Sequence, residues 1–63
     1  MKFWQVTTKC YDTGKVTAEI TDKVEAEHIP EGTVRTTGLC DIYTDWFDSY
    51  SEARAFVREA KEA

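Results

Sequence analysis

Sixty-three residues with a net charge of −4 allow one domain, 1–63, and argue against direct nucleic-acid binding, which calls for clustered Lys and Arg. Two lone cysteines and a single His fall short of the roughly four ligands of a zinc site. No apolar run exceeds a few residues, far below the ~20 that a membrane-spanning helix needs.

The core has to be built with few aliphatics. There is one Leu, with three Ile and five Val, against eight aromatics, so Phe, Tyr and Trp must supply much of the buried area. A strand pattern begins directly after Met1, which leaves no room for a signal peptide. The expectation is a complete cytoplasmic chain with free thiols.

From Lys2 to Tyr11 the chain alternates, with Trp4, Val6, Thr8 and Cys10 on one side and Phe3, Gln5, Thr7, Lys9 and Tyr11 on the other. Asp12-Thr13-Gly14-Lys15 reads as a type I turn closed by a left-handed Gly, a bulged three-residue hairpin loop. That loop sets Tyr11 opposite Lys15, Cys10 opposite Val16, Thr8 opposite Ala18, Val6 opposite Ile20 and Trp4 opposite Asp22. A second strand from Val16 to His28 is long, and a bulge near Asp22–Lys23 is expected.

Ile29-Pro30-Glu31-Gly32-Thr33 has the same design, with Pro preset at its first corner. Read as a second hairpin, it pairs Glu27 with Arg35 and Ile20 with Ile42. Trp4, Val6, Cys10, Val16, Ala18, Ile20, Val24, Ala26, Val34, Cys40 and Ile42 then share one face, as a correct register requires. In this register Cys10 and Cys40 lie six residues apart along the central strand, about 20 Å, so no disulfide joins them.

Ser49-Tyr50-Ser51-Glu52 is a capping box. Ala53, Phe56, Val57 and Ala60 follow at i, i+3, i+4 and i+7, one apolar stripe, while Arg54, Arg58, Glu59, Lys61 and Glu62 face water. The predicted fold is α+β: a three-stranded antiparallel β-meander with one C-terminal helix packed on one face (βββα), and Trp46 closing the corner.

Catalytic chemistry has no evident constellation. His28 has no nucleophile placed beside it, and Ser49 and Ser51 already serve the helix start. Asp41, Asp45 and Asp48 invite a metal, yet Asp41 and Asp45 lie about 13 Å apart on a strand and no Gly-centred loop gathers the three. No phosphate-cradling loop occurs. The expectation is a non-enzyme with no cofactor and no metal.

The meander places Phe3, Tyr11, Leu39, Tyr43 and Phe47 on the sheet face away from the helix, with Glu19, Asp41 and Asp45 among them. An aromatic patch framed by charge is the mark of an interaction surface, with Tyr43 at its centre. The predicted partner is another protein or a second copy of the chain, with no membrane involved. A structural homo-oligomer and a small-molecule-sequestering protein with a pocket between subunits are the alternatives.

Asp41-Ile42-Tyr43, then Phe47-Asp48-Ser49-Tyr50-Ser51-Glu52-Ala53 and Phe56-Val57, resembles the endings of small uncharacterised reading frames of phages and mobile elements of Gram-positive bacteria. The likeness covers about the last third of the chain. It implies an accessory or anti-defence protein that works by binding, such as an inhibitor of a host nuclease, and it assigns no functional residue.

Overall fold

A computed structural model describes residues 1–62. Four strands, β1 (Lys2–Tyr11), β2 (Val16–Glu25), β3 (Thr33–Thr36) and β4 (Cys40–Phe47), are followed by one helix, α1 (Tyr50–Glu62). The strands form one sheet in the order β2-β1-β4-β3, with every neighbouring pair antiparallel.

The first hairpin follows the turn chemistry. Tyr11 N–H donates to the Lys15 carbonyl at 2.8 Å and Gly14 N–H to the Tyr11 carbonyl at 2.9 Å. Gly14 takes φ 91°, a conformation that costs a residue with a Cβ. Cys10 pairs with Val16, Thr8 with Ala18 and Val6 with Ile20, as the loop dictates. The register then slips: Gln5 pairs with Asp22 and Trp4 with Lys23, leaving Thr21 as the extra residue of a bulge. Thr21 Oγ1 donates to Gln5 Oε1 and shares a hydrogen bond with Thr7 Oγ1, both at 2.8 Å. These bonds pin the bulge to β1.

The second hairpin differs from the expected meander. Residues 26–32 form no strand and carry the chain from β2, at one edge of the sheet, to β3 at the other. Gly32 serves close approach here, because a Cβ on it would meet the Thr44 carbonyl oxygen at 2.6 Å. The hairpin turn lies instead at Thr37-Gly38-Leu39. Thr37 N–H donates to the Cys40 carbonyl at 2.9 Å, and Thr37 Oγ1 accepts from the amides of Leu39 and Cys40. A hydroxyl that organises its own turn competes effectively with strand continuation. The segment 33–47 is thereby split in two, and the three-stranded meander becomes a four-stranded sheet.

This split also moves β4. It pairs with the free edge of β1, Trp4 with Phe47, Val6 with Asp45 and Thr8 with Tyr43. Arg35 pairs with Ile42 rather than facing Glu27, and Ile20 faces only Val6. Tyr11 pairs with Cys40 and Cys10 with Asp41. The two cysteines are thus diagonal neighbours, about 6 Å apart from strand spacing and rise, not 20 Å. They remain free thiols, because successive side chains point to opposite faces of a sheet and the two Cβ vectors diverge.

Helix α1 covers the face carrying Trp4, Val6, Thr8, Ala18 and Ile20. Val6 and Ala53 are fully buried, with Ala18 between them, and Ile20, Phe47, Phe56, Val57 and Ala60 pack around this centre. The predicted helix stripe is the one that docks. Ser49 caps it, accepting from the Glu52 amide at 3.4 Å through Oγ and from the Ala53 amide at 3.0 Å through its carbonyl. The corner is closed by Trp4, whose ring meets Tyr50 edge-on at 6.0 Å. Trp46, assigned that role from the sequence, pairs with Gln5 and lies on the far face. Val24, Cys40 and Ile42 also lie there, Val24 through the Thr21 bulge and the other two through the new parity of β4.

Two stability outcomes follow from this packing. Phe56 stacks on Phe47 with centroids 5.2 Å apart, so Phe56→Ala is expected to cost about 3 kcal/mol or more and to abolish a cooperative melt in so small a domain. Arg58, exposed on the same helix, should tolerate Ala with scarcely any change. Thr8 is buried and its Oγ1 has no hydrogen-bond partner among the described residues. Thr8→Val removes that hydroxyl at constant shape and should raise stability by about 1 kcal/mol, read as a higher denaturant midpoint at unchanged m-value.

Candidate interaction surface

An α-helix is about 10 Å across and strands lie about 4.8 Å apart, so one helix covers roughly two strands. Here α1 lies over β2 and β1. One row of the sheet shows the consequence. Ala18, Thr8, Tyr43 and Val34 stand side by side on the helix side of β2, β1, β4 and β3. Ala18 and Thr8 are buried beneath the helix, whereas Tyr43 is 39% and Val34 65% exposed.

The eight residues expected to share one open face are divided by this geometry. Phe3, Tyr11 and Glu19 lie on the face away from the helix, as expected. Phe3, paired with Val24, is only 3% exposed even so. Asp41, Tyr43, Asp45 and Phe47 pair with Cys10, Thr8, Val6 and Trp4, and so belong to the helix side. Leu39 sits in the β3–β4 turn, 77% exposed. The cause is parity: a strand that changes partner by an odd offset presents its other set of side chains.

Phe47 is half-buried and packs at the margin of the core against Phe56. What remains together is Tyr43, flanked on its own strand by half-buried Asp41 and Asp45 and across the ladder by Val34. The sequence register had put Val34 in the core. It is exposed because β3 is an edge strand lying beyond the reach of α1, and all four β3 residues are exposed. The backbone groups on the outer side of β3 are unpaired, the feature through which an edge strand accepts another strand.

A groove of about 420 Å³ lies at the opposite edge, between α1 and β2. Ala18, Ile20 and Val57 contribute to its floor, Tyr50 closes one side, and Arg54, Arg58 and Lys61 on the helix outnumber the one acid of the lining, Glu19. The Arg54 guanidinium stands 5.8 Å from the centre of the Tyr50 ring, a cation–π contact. Spacing of i, i+4 and i+7 puts these three cations on one flank of the helix. That periodicity is legible in the chain, but the groove it lines requires the position of β2.

His28 is exposed in the 26–32 connection, and the hydroxyls of Ser49 and Ser51 are hydrogen-bonded to each other at 2.9 Å. Among the described residues no group of three or more His, Cys, Asp or Glu is gathered closely enough to hold a metal ion, and no helix is long and apolar enough to cross a membrane. Comparison of the chain with protein-family models, with curated proteins and with solved structures finds no match.

The division between core and surface on β4 can be measured. Phe47→Ala should cost about 3 kcal/mol, whereas Tyr43→Ala, four residues earlier on the same strand and face, should cost less than about 1 kcal/mol. Equal losses in chemical denaturation would mean that Tyr43 is covered and the bare half of the sheet does not exist.

Proposed function

We propose that this protein is a non-enzymatic protein–protein interaction module that presents the β3–β4 corner to its partner. The observation that carries the reading is the bare half-face, where Tyr43 and Val34 stand exposed in one ladder row beside an open sheet edge. Apolar side chains at a sheet edge are a liability in a monomer and an asset in a binder.

The chemistry of the corner describes the partner. Asp41 and Asp45 flank Tyr43 on the same side of β4, so a matching surface offers an apolar group between basic ones. The open edge of β3 suits an extended segment that adds as a strand, its main chain supplying hydrogen bonds and its alternate side chains meeting Tyr43 and Val34. The likeness of the last third of the chain to small phage and mobile-element reading frames fits an accessory or inhibitory role of this kind, exercised in the cytoplasm.

Affinity capture from the native host, compared between wild type and two Tyr variants, tests the reading. Tyr43→Ala should lose the captured partner, with affinity falling at least about tenfold. Tyr11→Ala, on the opposite face of the sheet, should retain it. Loss through Tyr11 with retention through Tyr43 would move the binding surface to the far face and defeat the proposal.

A further inference from the structure

The two edges of this sheet are complementary to each other, and we infer that the β3–β4 corner docks onto the α1–β2 edge of a second copy, head to tail. This rests on the corner being a binding surface and names its occupant as another molecule of the same chain.

Strand direction permits it. In the order β2-β1-β4-β3, with all neighbours antiparallel, β2 and β3 run in opposite directions. A copy placed beside the first in the same orientation therefore brings its β2 antiparallel to β3. Both sheets then continue as one, with the helices on a common face.

Register permits it as well. Through the ladder, Thr33–Thr36 stands level with Val16–Glu19 of its own chain. A copy added side by side meets β3 with this same stretch of β2, which lies clear of the Thr21 bulge. Val34 then stands beside Ala18 of the second copy. The groove between α1 and β2 opens directly onto this row, and its apolar floor of Ala18, Ile20 and Val57 is the counterpart of Val34 and Tyr43.

Charge selects this arrangement over the symmetric ones. Arg54, Arg58 and Lys61 rim the groove at the β2 edge, while Asp41 and Asp45 flank Tyr43 beside the β3 edge. Pairing β2 with β2 would bring two cationic rims together, and pairing β3 with β3 would bring two acidic flanks together. Only the head-to-tail contact sets acid against base. Such an interface is heterologous, so it can repeat into an open chain or close into a ring.

Two half-blocked variants test the inference. Tyr43→Ala with Asp45→Asn disables the corner and leaves the groove; Arg54→Ala with Arg58→Ala disables the groove rim and leaves the corner. Sedimentation velocity of the wild type should show association that grows with protein concentration and weakens as salt rises, as screening requires. Each half-blocked variant alone should associate at least about tenfold more weakly, and their mixture should form a 1:1 dimer that grows no further. A cooperative melt is required of both variants, and the single changes Tyr43→Ala and Arg58→Ala replace any that fails it. Self-association retained by either disabled variant would overturn the head-to-tail contact. A wild type that is monomeric up to about millimolar concentration at low salt would overturn self-association itself. Capture of a different protein through Tyr43 would in that case still uphold the corner as a binding surface, so the two ideas fail separately.

Discussion

Strand β1 is hydrogen-bonded along both edges and carries the helix on one face, and the rest of the structure is arranged by what it can hold. Three of the residues most fully withdrawn from water, Phe3, Val6 and Thr8, belong to it. On one edge it receives β2 through a tight turn, and on the other it receives β4, far along the chain. On one face it carries α1. A single helix spans about two strands, and because β2 takes its share of that cover, α1 reaches β4 only at its Phe47 end and leaves the rest of β4 and β3 bare. The bare corner follows from the width of a helix on a four-stranded sheet.

Elements specified by local chemistry were legible in the sequence. Asp12-Thr13-Gly14 defines the first hairpin and its register, the length of β2 signals a bulge, and Ser49 with the 53, 56, 57, 60 stripe defines the helix and its docked face. Each of these depends on residues within a few positions of one another. The partner of β4 depends on which strand edge is free, and nothing within β4 records that. Ile29-Pro30-Glu31-Gly32 has good turn composition and yields a self-consistent apolar face when read as a hairpin. Thr36-Thr37-Gly38-Leu39 carries an equally good signal, through a hydroxyl that satisfies its own turn, and it is the one the fold uses. Choosing between them decides the side on which Tyr43 and Phe47 emerge. An aromatic cluster read from alternation alone is therefore vulnerable to a single change of parity.

The net charge of −4 conceals a separation that matters more than the total. Arg54, Arg58 and Lys61 gather on the flank of α1 above the β2 edge, while Asp41 and Asp45 lie toward the other edge. Phe56 turns toward β4 through its contact with Phe47, and Glu52 and Glu59, close to Phe56 around the helix, extend the acidic side. The two flanks of α1 are thus of opposite charge, although β2 itself carries Glu19, Asp22 and Glu25. Over the width of so small a domain such separation persists within a screening length of about 8–10 Å. In the proposed head-to-tail contact it would bias how two molecules approach more than it contributes to the stability of one.

The two open edges are guarded unequally. β2 has the Thr21 bulge and a run of charged or hydroxylated residues from Thr21 to Lys23 near its end, devices that discourage strand addition. They leave the stretch level with β3 regular. β3 itself is short but carries Val34 and only one charge, Arg35, which lies on the other face. A chain selected only for solitary solubility gains nothing from Val34 and Tyr43 in adjacent exposed positions, where Thr or Lys would fold as well and aggregate less. The fold buries only about 60% of its unfolded surface at this size and has few aliphatic residues to spend. Placing two apolar side chains outside the reach of its one helix withholds them from a core that has need of them. Under the proposed reading, covering the corner recovers that cost, and stability and recognition are coupled through the same two residues.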